Sequence, residues 1–349
     1  MNTNFMSPFK SESYVKDGCW PKYPVHIEIH VTLQCNHRCI KCAQVVPKIE
    51  GKRTSKEAHE RRIEIPFEKM KELLYDFRDV GVKAITYAGG GEPLMYQQFD
   101  EVLGITHSLG MESGIITNCN VDLTPSLLRQ LSEVKWLRVS MDATNDEVYQ
   151  KIHRPQDGGT YYRLIDNIQK LRQFPIDLGI NYLIEEDNWR DCVLAVEIAK
   201  GLGVDYIRLA PYHTINKGKE YDPIWPELMK LFDEARKFQT GKFIVNANID
   251  RFKNLKENPK TYSRCYYHEL HPILGSDLRI WPCCVLNYIS GAELGSFEDC
   301  KFSEAWNNPE RRLKSHNIFA KGCPPCWFDK PNEFLEYAKS TDRSHVKFV

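Results

Sequence analysis

The chain has 349 residues, 42% of them hydrophobic and 27% charged, and its 47 basic side chains are balanced by 47 acidic ones. This is the balance of an ordinary globular protein with a sizeable core. A net charge of zero argues against broad attraction to nucleic acid or anionic membrane, although a local patch stays possible. The first eighteen residues hold no apolar run of the secretory type, and no stretch approaches the ~18 apolar residues of a membrane span. A cytoplasmic location is therefore expected. In that compartment twelve cysteines are a poor disulfide framework. Clustered ones read as metal ligands, and isolated ones such as Cys19 and Cys192 as buried thiols.

Residues 1–23 are polar and without a clear period. The alternation in 25–33 predicts a strand, and a long charged loop follows over about 43–64. It carries Lys48, Lys52, Arg53, Lys56, Arg61 and Arg62 with glutamates interleaved, which fits a solvated loop better than an anion site. Helical spacing over 67–81 ends at Gly81. Then come a strand at 84–88, a helix over 99–110, a strand at 113–118, a short helix over 126–134 and a strand at 136–143. A helix over 161–174, a strand at 178–184, a helix over 189–203, a strand at 206–211 and a helix over 226–239 complete the run. Six strand–helix repeats imply parallel strands with helical crossovers. A partial barrel and an open doubly wound sheet both fit, and in either the functional residues belong at the C-terminal ends of the strands. After about residue 240 the alternation is expected to stop and cysteines crowd in. The reading is thus a leader (1–23), an α/β domain (24–238), a cysteine-rich domain (239–335) and a tail (336–349).

The first cysteine cluster follows the first strand with the spacing Cys35-x3-Cys39-x2-Cys42. Three thiolates suit an iron–sulfur cluster and leave one iron of a four-iron cluster open to an exogenous ligand. Spacing alone also admits zinc. The second strand runs into Gly89-Gly90-Gly91-Glu92-Pro93. Glycines permit close backbone approach and positive φ, and Glu92 offers a carboxylate to an ammonium group.

The two motifs together resemble the radical S-adenosylmethionine (SAM) superfamily. The resemblance covers roughly residues 24–235 and implies a partial (β/α)6 barrel. It implies that SAM chelates the open iron and that one electron from the cluster cleaves it to methionine and a 5′-deoxyadenosyl radical, which abstracts a substrate hydrogen. It gives Cys35, Cys39 and Cys42 to the cluster, and Gly89, Gly90, Gly91 and Glu92 to the SAM amino group. Asn118 closes the third strand. Ser140 and Asp142 hold the fourth-strand positions near the SAM ribose and methionine portions, and Arg154 the position of a carboxylate fork. Asn181 and Arg208 are further candidates to face the site. The chain departs from many members in having Lys41, not an aromatic residue, before the third cysteine.

Farther on, GSDLRIWPCC and KGCPPCW resemble the SPASM/twitch extension of these enzymes, in its shorter twitch form with one auxiliary 4Fe–4S cluster. Cys265, Cys283, Cys323 and Cys326 are the chosen ligands, Cys284 is a rival for Cys283, and Cys300 is a bystander. A structural zinc ribbon is the competing reading. Four protein ligands would close such a cluster to substrate and suit it to electron transfer. Cys119 is a candidate hydrogen donor, though a core thiol is the plainer reading.

The expected function is an oxidoreductase- or isomerase-type radical SAM reaction on a small polar substrate (a sugar, nucleotide or cyclitol), with a flavodoxin- or ferredoxin-like reductant, no membrane partner and no nucleic acid. Peptide maturation is weakened by a leader too short for a separate recognition domain. Nucleotide or nucleic-acid base modification, and a non-catalytic zinc or iron–sulfur protein, are the alternatives.

Overall fold

The computed structural model describes residues 21–44, 64–212, 216, 218–256, 260–324, 326 and 328–339. The charged loop from 45 to 63, with its basic residues, lies outside the described residues, as do Cys19, most of the leader and the tail from residue 340.

Seven parallel strands follow one another in chain order: β1 (His26–His30), β2 (Ala84–Ala88), β3 (Glu112–Thr117), β4 (Trp136–Ser140), β5 (Asp177–Ile184), β6 (Tyr206–Pro211) and β7 (Ile244–Ala247). The crossovers are α1 (Phe67–Val80), α2 (Phe99–Ser108), α3 (Pro125–Leu131), the pair α4 (Asp146–His153) and α5 (Tyr161–Leu171), α6 (Cys192–Gly201) and α7 (Trp225–Arg236). Local chemistry sets their ends. Gly81 takes the left-handed cap of α1 at φ 89°. The side chains of Thr124, Asn145 and Thr160 accept the first free amides of α3, α4 and α5, the usual stabilisation of a helix start.

The alternation continues one strand further than the sequence suggests. β7 pairs with β6 beyond the boundary read at 238. It was missed because its four residues form too short a run to show a period. The chain then forms α8 (Ile249–Lys256) and α9 (Tyr267–Leu270) and returns to the opposite edge. There β8 (Ile273–Leu274) pairs with β1 in parallel, and β9 (Arg279–Trp281) and β10 (Gly295–Ser296) extend the sheet antiparallel. The ten strands form one sheet whose edges, β7 and β10, do not pair. This is a partial α/β barrel.

The sheet's two faces differ sharply. Val139, Ile180, Ile207 and Val245 point outward into the main apolar core, which the helices cover. Towards the C-terminal ends of the strands their neighbours on the inner face, Ser140, Asn181, Arg208 and Asn246, are polar. The lower part of the lumen is filled by aromatic rings lying over glycines. A Cβ on Gly114 would sit 2.2 Å from the Trp136 ring, and one on Gly179 would sit 2.0 Å from the Tyr206 ring. Only glycine admits these contacts.

The last three helices are α10 (Phe302–Asn307), α11 (Pro309–His316) and α12 (Asp329–Lys339). The C-terminal part is fastened to the barrel. Phe302 packs edge-on against Phe77 at 5.1 Å, and the Ser303 amide donates to Asp76 Oδ2.

Candidate functional site

The loop after β1 carries Cys35, Cys39 and Cys42 around a cavity of about 400 Å³, which is also lined by Arg38, Gly89–Gly91 and Arg154. Two backbone seams hold this loop. The amides of Arg38 and Ile40 donate to the carbonyls of His153 and Ile152 at the end of α4. On the other side the amides of Gly91 and Glu92 donate to Thr32 and Gln34. Amides are also aimed at the sulfurs, from His37 to Cys35 Sγ (3.4 Å) and from Gln44 to Cys42 Sγ (3.5 Å). Burial pushes the Cys35 thiol up to about 12, and the Cys39 thiol well above its ordinary value.

The glycine run does something different from what its composition suggests. None of Gly89, Gly90 and Gly91 adopts a positive φ. Their need is space. A Cβ on Gly91 would lie 2.0 Å from the Gln34 carbonyl oxygen, and one on Gly90 would lie 2.2 Å from Leu33 Cδ2. The run lets β2 press against the root of the cysteine loop. Glu92 sits behind it, 2% exposed. Its Oε1 accepts from the Leu94 amide (3.1 Å) and Thr117 Oγ1 (2.5 Å), and its Oε2 from the Asn118 amide (2.7 Å). Glu92 thus ties the ends of β2 and β3 together and does not line the cavity. Burial lifts its carboxyl to about 7. Asn118 continues the tie, donating to Asn36 Oδ1 at 2.8 Å and reaching to 3.9 Å from Cys35 Sγ.

Ser140 ends β4 half-buried. Asp142 is 4% exposed at φ 50°, accepts the Leu183 amide at 2.6 Å and lies 3.7 Å from His153 Nε2. Burial raises its carboxyl to about 7. It therefore turns towards β5 and His153, away from the open cavity. Arg154 caps α4 in the left-handed region at φ 48° and lines the cavity. That conformation costs a non-glycine residue on the order of 1 kcal/mol, and it places this cation beside the cysteines. Cys119 is fully buried in the apolar core, so the hydrogen-donor role has no open face to act through. Lys41 Nζ lies 4.5 Å above the Tyr212 ring, so the aromatic ring at this place comes from the end of β6.

Sequence reasoning overlooked His37 and His153. His153 Nδ1 lies 3.3 Å from Cys39 Sγ, and its Nε2 donates to the Met141 carbonyl. His37 is 2% exposed, has no hydrogen-bond partner on either ring nitrogen, and is held neutral by burial, down to about 3. Donor atoms of His37, Cys39 and His153 fall within 4.8 Å of one another. The available signal was the histidine beside each motif, in CNHRC and KIHRP.

The second cysteine set gathers where the segment before α9 meets the segment before α12. Cys283 acts electrostatically on Cys265, Cys323 and Cys326, and burial raises all three of those thiols, Cys265 to about 12 and Cys323 to about 11. The Phe328 amide is aimed at Cys326 Sγ at 3.3 Å. Cys284 packs on the apolar group of Leu33, Ile273, Trp281 and Tyr288, and it shares Tyr267 and Arg251 as electrostatic neighbours with Cys326. Cys300 lies apart, its Sγ 3.8 Å from the Ser296 carbonyl.

Residues 29–199 match the family described as the Radical SAM superfamily. The chain carries a radical SAM domain. It is 30% identical over 207 residues to an S-adenosylmethionine-dependent nucleotide dehydratase from Lacinutrix mariniflava, covering 57% of this chain and 41% of that protein. It is 26% identical over 176 residues to an S-adenosyl-L-methionine-dependent tRNA 4-demethylwyosine synthase from Mus musculus, covering 45% of this chain and 24% of that one. The chain thus spans less than half the length of these relatives. In fold it resembles Streptococcus suis SuiB bound to S-adenosylmethionine, with a TM-score of 0.63 at 16% identity, covering 84% of this chain and 68% of that one.

Radical SAM proteins use a 4Fe–4S cluster and SAM, and the residues of this domain fit that pair. Three thiols converge on one cavity with amides already directed at two of the sulfurs. Burial disfavours their ionisation in the absence of a cation, and a bound metal reverses that preference. The cavity leaves space beside the thiols, with an arginine at its rim.

Proposed function

We propose that this chain is a radical SAM enzyme acting on a small polar substrate of the nucleotide or sugar type, with Cys35, Cys39 and Cys42 holding the SAM-binding cluster and Cys265, Cys283, Cys323 and Cys326 an auxiliary one. The observation that carries this reading is the meeting of the three cysteines, the glycine run and Arg154 around one cavity. When bound, the cluster supplies the electron that breaks a carbon–sulfur bond of SAM and so generates the hydrogen-abstracting radical.

The chain's own residues position and enclose. The backbone of Gly89–Gly91 offers a close surface at the cavity wall, and Arg154 offers a planar donor fork to a carboxylate. Glu92 and Asn118 fix the strand ends that carry this wall. His153 and Asp142, both almost fully buried, pack behind Cys39. Cys284, which packs on the apolar group of Trp281 and Tyr288, is left out of the proposed auxiliary ligand set. A nucleotide-type substrate is favoured by the similarity to the nucleotide dehydratase, and a flavodoxin- or ferredoxin-type protein would supply electrons.

The test is anaerobic reconstitution with iron and sulfide, then reaction with SAM and dithionite. 5′-Deoxyadenosine should form. Fully iron-loaded protein that forms none would refute the assignment.

A further inference from the structure

One row of side chains across the lumen has no work to do within the protein. Ser140, Asn181, Arg208 and Asn246 are register partners on β4, β5, β6 and β7. In parallel strands, register partners project from the same face. Their neighbours Val139, Ile180, Ile207 and Val245 point into the helix-covered core, so this row points into the lumen. It lies towards the C-terminal ends of the strands, and Ser140 is one residue from Met141, whose carbonyl accepts from His153 beside Cys39.

Among the described residues, none of the four side chains has a hydrogen bond to protein. The Arg208 Nε is fully buried and without a partner. Arg208 as a whole is half-buried; a guanidinium is always charged, and burying even part of one without a counter-ion is costly. Evolution tolerates such a cost where a ligand removes it. One row deeper, Arg138 sits next to Tyr206 in the same lumen, and its Nε is likewise buried and unpartnered. The nearby carboxylate is Glu28, which faces Arg138 but is already engaged with His30 Nε2 at 3.0 Å. Arg251 approaches Arg138 from α8. Arg251 also lies near the Cys284 and Cys326 sulfurs, so the unpartnered nitrogens that carry the argument are those of Arg138 and Arg208.

We infer that the substrate carries an oxyanion, a phosphate or a carboxylate, seated on Arg208, with hydroxyl or amide groups beside it meeting Asn181 and Asn246. This rests on the enzyme reading above and deepens it by naming the substrate's charge. Arg208 offers a two-point fork to phosphate or carboxylate oxygens. Asparagine amides both donate and accept, which suits a sugar or a base and not a second anion. No covalent step is involved; Arg208 binds and orients.

The test uses the cluster-loaded, SAM-bound protein without reductant, so that it does not depend on turnover. Binding of inorganic pyrophosphate, succinate, CMP, UMP and GMP, and of the corresponding nucleosides, is measured by calorimetry and by thermal shift. At least one anion should bind, and a nucleotide should bind at least ten-fold tighter than its nucleoside if phosphate is the group. Preference for succinate would assign a carboxylate. Arg208→Gln should remove the anion's thermal shift and weaken its binding at least ten-fold, and Arg208→Lys should keep part of it. Arg129→Gln, on the exposed side of α3, should behave as the unaltered chain. Arg208→Gln should also melt no lower than the unaltered protein when ligand-free, whereas an arginine kept for packing would lower the melting temperature when replaced. Nucleotide and nucleoside binding equally, with no other anion preferred, would overturn the inference. So would anion binding indifferent to Arg208, or no anion binding at all. Failure to form 5′-deoxyadenosine is a separate result and bears on the enzyme reading alone.

Discussion

The Sγ of Cys39 lies 3.3 Å from Nδ1 of His153, across 114 residues of sequence. His153 Nε2 donates to the Met141 carbonyl at 3.0 Å. A carbonyl only accepts, so the ring proton sits on Nε2 and Nδ1 faces the sulfur. The imidazole therefore joins the cysteine loop to the end of β4. His153→Ala leaves the Met141 carbonyl unpaired and opens a void beside Cys39. The expected loss is about 2–4 kcal/mol, read as a lower urea midpoint of the metal-free protein, with reduced iron uptake on reconstitution. An unchanged midpoint would show that the contact is incidental.

Iron counting separates the two cysteine sets. Two four-iron clusters require about eight iron atoms per chain. Cys35→Ala should bring this to about four and abolish 5′-deoxyadenosine formation. Cys323→Ala should also leave about four, but spare SAM cleavage more than product formation. On the proposed ligand set Cys284→Ala should keep about eight, because Cys284 packs on Tyr288 and its neighbours while Cys283 is the cysteine whose charge acts on the other three thiols. Zinc in place of iron, with a colourless protein, would replace both clusters by the simpler metal reading.

The strand–helix repeat was legible because each strand ends in a clear turn and each helix has a continuous apolar stripe. The cysteine spacing was legible because ligands on one loop must lie close in sequence. What escaped depends on contacts between distant segments. β8 is two residues long and gains its place only by pairing with β1. His153 reaches Cys39 through the fold of α4, and nothing in its local sequence says so. Glu92 is read as a ligand to SAM because carboxylates are good acceptors, and in the fold three of its roughly four acceptor positions are taken by Leu94, Thr117 and Asn118. Composition shows which groups can accept a proton or a hydrogen bond. It does not show who reaches them first.

The glycine run gives an ordered pair of outcomes. A Cβ on Gly91 meets backbone, the Gln34 carbonyl oxygen at 2.0 Å, which cannot yield without moving the cysteine loop. A Cβ on Gly90 meets first the end of the Leu33 side chain, which can rotate. Gly91→Ala should therefore cost about 3 kcal/mol or more and Gly90→Ala about 1 kcal/mol, within the range for overpacked sites. The two midpoints, measured on metal-free protein, check the order. Equal costs would mean that the loop root gives way easily.

Glu185, at the end of β5, supplies the pH dependence. It is 3% exposed, its amide donates to Asn188 Oδ1, and its Oε2 is buried without a partner. Burial first, then the neighbouring Asp142, lift its carboxyl to about 8, against the pull of Lys41. The unfolded chain releases this proton near the ordinary carboxylate value, about 4.3. Between these two values the folded protein holds a proton that the unfolded chain has lost. The contribution of this group to stability is therefore fully present below about pH 4 and declines as the pH rises through about 8. Its size is on the order of 1–3 kcal/mol, given partial relaxation around the charge. Glu185→Gln cannot titrate. The melting temperature of the variant should fall less between pH 5 and pH 8.5 than that of the unaltered protein, and the two curves should converge at the acid end. Parallel curves over this range would show that Glu185 is ionised in the fold and that Lys41 outweighs burial.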